Sequence, residues 1–128
     1  MGEGIQRVTR QLVLILAVLL DAYRRNEELH GYAIMKLTHL SGPSTYRNLD
    51  RLEDAKLVEV RWEDLPPGAD RPRRVYYRLN PAGGAAARAI VAERRPDLLE
   101  APPRLAPAPR PGLSTLFTAV RSRAEGAR

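Results

Sequence analysis

The sequence contains no cysteine. A disulfide framework and a thiolate-held metal are thereby excluded, and a reducing cytoplasm is the simplest home for such a chain. Histidine is scarce too. His30 and His39 are the only two, and their separation matches no zinc-binding spacing. No apolar run approaches the roughly 20 residues that a membrane span needs. The longest, Leu12 to Leu20, follows Arg7 and Arg10 and so imitates a signal-peptide core. However, Asp21 to Glu28 is mostly charged and polar, where a signal would carry a small-residue cleavage site. A buried helix is the better reading, with no membrane partner. Catalytic constellations are also missing. No nucleophile stands with a base, no glycine loop can cradle a phosphate, and Glu53 and Asp54 are helix neighbours that point in different directions. Neither an enzyme nor a cofactor is expected. Acidic residues are in deficit: 15 Asp and Glu against 21 Lys and Arg leave a net charge of +6. That balance favours an anionic partner, nucleic acid first.

What is present suits one domain of about 100 residues plus an appendage. Residues 8–25 read as a first helix that is apolar on every side in its middle. Residues 30–40 form a second, shorter helix with an apolar stripe through Tyr32, Ile34, Met35, Leu37 and Leu40. Ser41-Gly42-Pro43 is a turn, and residues 44–56 form a third helix. Tyr46, Leu49 and Leu52 recur every three residues and are read as its buried side. Residues 57–62 and 73–79 read as two strands of a hairpin with a long basic tip around Pro66-Pro67-Gly68. Asn80 is a plausible N-cap ahead of Pro81, and the fourth helix runs to Arg95. Six of the chain's 11 prolines then fall between Pro96 and Gly112, so this stretch reads as a linker without a packed core. Leu113 to Arg123 is a candidate amphipathic helix, too short to be stable alone. The expected division is therefore 1–95 for DNA binding and dimerisation, 96–112 as linker, and 113–128 as a short helix and basic tail.

This order predicts a mainly α fold with a small β-hairpin: a winged helix-turn-helix domain with a Pro-rich C-terminal extension. With Tyr46, Leu49 and Leu52 inward, Ser44, Thr45, Arg47, Asn48 and Arg51 face outward. Arg pairs with guanine and Asn with adenine through two hydrogen bonds each. Ser44 and Thr45 are short donors suited to phosphate. The wing adds Arg71, Arg73 and Arg74, with only Asp70 opposing, and prolines at both ends stiffen it. The candidate DNA contacts are thus Ser44, Thr45, Tyr46, Arg47, Asn48, Arg51, Arg71, Arg73 and Arg74. A solvated helix face and a locally paired loop are the plainer alternatives. His30 reads as structural rather than metal-binding. Trp62, Tyr76 and Tyr77 read as core or interface packing, with an aromatic ligand pocket as the alternative. Val13, Leu16, Leu19 and Leu20 exceed what so small a domain can obviously bury, and with Ile90 they are candidates for a dimer interface. A protein-interaction module using the apolar first helix and the Pro-rich tail is the second functional class. A small-molecule effector or protein partner stays unspecified.

Several segments together resemble the PadR family of regulators. His30-Gly31-Tyr32-Ala33-Ile34 is similar to the start of that family's second helix, and Tyr46 to Glu53 to its third-helix signature. Leu57-Val58 with Trp62-Glu63, then Arg73 to Leu79 and Gly83, resemble its wing and the start of its fourth helix. The resemblance covers about residues 8–95. It implies a cytoplasmic homodimeric regulator, usually a repressor, bound to a palindromic double-stranded DNA operator. It also implies that the first helix and the C-terminal helical region build the dimer. Lys56 stands where the family usually has Gly, at a cost of about 1 kcal/mol if the backbone there is left-handed. Gly83 and Gly84 weaken the fourth helix by roughly 1 kcal/mol each relative to Ala.

Overall fold

The computed structural model describes residues 7–104. The chain runs α1 (Arg10–Arg24), β1 (Leu29–His30), α2 (Gly31–Thr38), α3 (Gly42–Asp54), β2 (Val58–Trp62), β3 (Val75–Leu79), α4 (Pro81–Arg94) and α5 (Asp97–Glu100). This is the mainly helical winged-helix architecture that the element order predicts. The predicted helix at residues 113–123 and the linker beyond Arg104 lie outside the described residues.

The ends of the helices follow from local chemistry. Thr9, Ser41 and Asn80 each accept a first-turn N–H through a side-chain oxygen, at 3.1, 3.2 and 2.7 Å. His30 caps α2 in the same way, its Nδ1 accepting from Ala33 N at 3.2 Å. Proline opens both α3 and α4, where its missing N–H costs nothing. At the far end of α3, Lys56 has φ 61°. Lys56 N and Leu57 N close the helix onto the carbonyls of Glu53 and Leu52 at 2.9 and 3.0 Å. The left-handed geometry anticipated at Lys56 is therefore present.

α1 is the axis of the core. Leu12, Ile15, Leu16 and Leu19 are fully enclosed by α2, α3, α4 and β3. The apolar run that looked excessive is thus buried within one protomer. Val13, Leu16, Leu19 and Leu20 are 0–5% exposed. They leave no surface for a second subunit, which corrects their assignment to a dimer interface. The physical reason is that the faces of α1 carrying these four residues are covered by its own chain, including α5, whereas Leu14 is only partly buried. Ile90 alone of that set is only partly buried.

Three antiparallel strands lie in the order β1-β3-β2. Val58 pairs with Leu79 and Trp62 with Val75, and the short β1 pairs Leu29 with Tyr77. β1 is two residues long, below what side-chain alternation can signal. Gly83 sits where an added Cβ would lie 2.0 Å from the Leu57 carbonyl oxygen. Close approach of α4 to the start of the hairpin explains this glycine inside a helix, and helix propensity is the lesser consideration.

The packed unit extends past Arg95. Leu98 of α5 is buried against the core, and Arg24 Nη1 donates to Leu99 O at 3.2 Å. Arg104 pairs with Asp21 at 3.2 Å. The segment read as an unpacked linker from Pro96 therefore begins with a docked helical turn, because Leu98 and Leu99 supply the apolar contact that proline counting overlooks.

Candidate nucleic-acid interface

α3 is rotated from the sequence expectation. Thr45, Asn48, Leu49 and Leu52 are buried, a stripe at i, i+3, i+4 and i+7. Tyr46 is 44% exposed. The outward assignment of Thr45 and Asn48 and the inward assignment of Tyr46 are both overturned. Small polar residues fill the crowded side, while the phenol ring lies across the start of α2. Its hydroxyl occupies the space beside Gly31, where an added Cβ would be 2.2 Å from Tyr46 Oη. The buried Asn48 amide donates to Ser44 O at 2.8 Å and accepts from Arg51 at 3.4 Å. Those bonds turn its amide inward along the helix. Arg51, half-buried, also donates to the Arg7 carbonyl. What α3 presents outward is Pro43, Tyr46, Arg47 and then Asp50, Glu53 and Asp54. The exposed stripe is thus cationic near its N-terminal half and acidic toward its end. Ser44 is half-buried beside that stripe.

The wing, residues 63–74, carries its arginines in three different states. Arg71 grips Glu63 with two parallel hydrogen bonds of 2.8 and 2.6 Å. Arg73 donates to the Glu63 carbonyl at 2.8 Å and lies over the Trp62 ring at 5.5 Å. Arg74 donates its backbone N–H to Glu63 Oε1 at 3.1 Å. Among the described residues its guanidinium has no partner. The expectation that only Asp70 opposes the wing's charge is corrected: Glu63 does so, from the end of β2. The Arg71 hydrogen bond, above all, pulls the Glu63 carboxyl down to about 2. A carboxylate facing a run of arginines across a hairpin was the available signal for this residue, and composition hides it.

Below the wing, Arg61 pairs with Glu28 at 2.7 Å and lies over Tyr76 at 4.9 Å. Its hydrogen bond holds the Glu28 carboxyl below the usual range. Arg78 donates to Asn26 Oδ1 at 2.8 Å. The three aromatic residues of the hairpin separate. Tyr77 enters the core, Tyr76 stands edge-on to His30 at 5.6 Å, and Trp62 is 57% exposed. Burial raises the Tyr77 phenol. Among the described residues no group of three or more His, Asp or Glu could hold a metal ion, and no helix is long and apolar enough to cross a membrane.

Between α2, α3 and the wing lies a cleft of about 370 Å³. Its walls are His30, Tyr32 and Tyr46 on one side and Arg71, Arg73 and Arg74 on the other. The helix face and the wing therefore meet across one concave surface.

The family model for PadR-like transcriptional regulators matches residues 19–89, more than half of the 128-residue chain. The chain belongs to the PadR-like family. As a member it is a DNA-binding transcriptional regulator and not an enzyme. Solved structures carry the same fold at low identity. A PadR family transcription regulator from hypervirulent Clostridium difficile is 21% identical with TM-score 0.52, covering 66% of this chain and 86% of that one. Staphylococcus aureus MepR in a DNA-binding conformation is 24% identical with TM-score 0.53, covering 73% and 65%. Bacillus subtilis PadR in complex with operator DNA is 20% identical with TM-score 0.50, covering 87% and 61%. No curated protein matches the sequence. The matched span of this PadR-like regulator includes α3, the wing and most of α4, so the family assignment rests on the same elements that build the cleft.

Proposed function

We propose that this regulator is a cytoplasmic homodimeric repressor that binds a palindromic operator. The N-terminal half of α3 enters the major groove and the wing lies on the backbone or in the minor groove. The observation that carries this reading is that Tyr46, beside the exposed Arg47, lines the same cleft as Arg73 and Arg74. N-terminal residues of such a helix reach base edges. The acidic end of the α3 stripe, Asp50, Glu53 and Asp54, would face phosphates only at an electrostatic cost, which favours insertion by the N-terminal half. Arg47 is the base-reading residue, with Tyr46 and Ser44 beside it. Arg73 and Arg74 are the phosphate cations. Arg71 acts through Glu63, and Arg51, Thr45 and Asn48 hold the helix in place. The operator complex of the Bacillus subtilis relative supports this mode of action.

The dimer is drawn along α1 and α4, where Leu14 and Ile90 are only partly buried. Selection of bound duplexes from a random pool, followed by footprinting, tests the whole reading. An inverted repeat is expected, with half-site centres about 10 base pairs or a multiple apart. No bound duplex at moderate salt would overturn DNA binding, and a single unrepeated site would overturn the symmetric dimer.

A further inference from the structure

The cleft between α2 and the wing contains residues that neither the helix reading nor the wing reading uses. We propose that it seats one phosphate of the DNA backbone in each half-site. His30 and Tyr32 grip it from the start of α2, Tyr46 from α3 and Arg74 from the wing. This rests on the DNA-binding reading above and adds α2 to the contact surface.

The argument starts from an inventory of hydrogen-bonding groups. His30 Nδ1 accepts from Ala33 N, so a neutral imidazole carries its proton on Nε2 and is a donor there. The Tyr32 and Tyr46 side chains are 59% and 44% exposed, and their hydroxyls have no partner among the described residues. The Arg74 guanidinium likewise has none among them. Glu63, the carboxylate that acts on His30, has both oxygens engaged by Arg71 and by the Arg74 backbone. The polar capacity left over is therefore rich in donors, arranged on two opposing walls. A tetrahedral oxyanion with several lone pairs to satisfy is the complementary partner.

Position selects the source of that oxyanion. Tyr46 belongs both to the exposed stripe of α3 and to the cleft wall, and Arg73 and Arg74 belong both to the wing and to the cleft. The cleft is the floor between two elements read as DNA contacts, so a backbone spanning them passes over it. The aromatic lining serves the same end. Two phenols supply hydroxyl donors on rings with few rotamers, at little entropic cost. Gly31 belongs to the device because only a residue without Cβ lets the Tyr46 hydroxyl sit at the start of α2. Burial above all pushes the His30 imidazole below the ordinary range; of the charged groups facing it, Arg74 and Arg71 act in the same direction and Glu63 opposes them. A phosphate placed there reverses that balance and favours the imidazolium.

The experiment uses the full chain and a duplex that the wild type binds. Phosphate-ethylation interference is compared for the wild type and a Tyr32→Phe/Tyr46→Phe double variant, which keeps both rings. The wild type should be blocked by ethylation at one phosphate per half-site, the one that lies over the cleft. The double variant should bind about tenfold more weakly and become indifferent to ethylation there alone. Unchanged affinity with an unchanged interference pattern overturns the seat and leaves DNA binding standing, whereas failure of the wild type to bind any duplex overturns both. The His30 imidazole gives a second readout by NMR titration. Duplex should raise the pKa of His30. If inorganic phosphate shifts His30 and duplex does not, the cleft serves a free oxyanion and the backbone assignment is wrong.

Discussion

α3 and the wing both line the cleft, α3 through Tyr46 and the wing through its arginines, but they are held in opposite ways. α3 is fixed by burial: Thr45, Leu49 and Leu52 are fully enclosed, and Asn48 nearly so. No residue between Glu63 and Arg74 is buried. The wing is shaped by one carboxylate and the arginines around it. Apolar burial is indifferent to salt and to the protonation of surface groups, whereas exposed ion pairs respond to both. The helix should therefore behave as a rigid part of the core, and the wing as a separately tunable arm. The largest effect follows from breaking the first half of that contrast. Leu49→Ala leaves a cavity under α3 and should cost about 2–5 kcal/mol in urea unfolding. Asp70→Ala on the wing should stay within about 0.5 kcal/mol. Comparable losses would mean that the two regions are not held differently.

The second prediction sets the two kinds of DNA contact against each other. Arg47→Ala should remove about 1–3 kcal/mol of discrimination at one base position. Arg74→Ala should weaken all duplexes alike and reduce the salt slope by about one counterion. Thr45→Val is the internal control for the rotation of α3. Thr45 Oγ1 is buried without a hydrogen-bond partner among the described residues. Its removal should leave base preference intact and stabilise the fold by about 1 kcal/mol. A change of base preference in Thr45→Val would place that side chain back on the DNA side.

Most of the fold was legible because its signals are redundant. The all-round apolar middle of α1, the cap at Asn80, the turn at Ser41-Gly42-Pro43 and the prolines near the starts of α3 and α4 all point to the same elements. The phase of α3 was not legible for a specific reason. Tyr46, Leu49 and Leu52 form an apolar triplet, but the triplet that packs is Thr45, Leu49 and Leu52 with Asn48. Tyrosine is amphipathic, and threonine and asparagine are small enough to be enclosed, so hydropathy ranks them in the wrong order. The wing's charge was legible, but its distribution was not. Glu63 lies eight residues from Arg71 in sequence and 2.6 Å away in space. α5 was missed because prolines around Leu98 and Leu99 mask a two-residue apolar anchor.

The joint between the two regions gives a smaller effect. Lys56 ends α3 and starts the turn into the hairpin with a left-handed backbone, φ 61°. A side chain with Cβ is strained there, and Gly is not. Lys56→Gly should stabilise the domain by about 1 kcal/mol, a rise in Tm of about 4–8 °C. Because the change lies outside both proposed contact elements, DNA affinity should not move. A destabilised Lys56→Gly protein would mean that the Lys56 side chain makes an attractive contact that outweighs the strain.

The subtlest effect concerns the wing's carboxylate. Glu63 titrates near 2 in the folded chain rather than at its ordinary 4.5. A depressed carboxyl contributes stability above its unfolded value, and that contribution is lost as pH falls through the folded value. The wing should therefore stay closed through the pH range in which free glutamates protonate and open only toward pH 2. Trp62 reports this directly, since it is the chain's single tryptophan and lies beneath Arg73. Its emission should be flat from pH 7 through 4.5 and change only as the pH approaches about 2, while far-UV dichroism tracks the helices separately. Glu63→Gln keeps the size of the side chain but cannot form the charged fork with Arg71, so its emission at pH 7 should already resemble the open wing. A wild-type transition centred at 4.5 would show that Arg71 does not hold Glu63 in solution. The arm would then owe its shape to strand pairing alone, and the contrast with α3 would narrow to the presence or absence of a buried anchor.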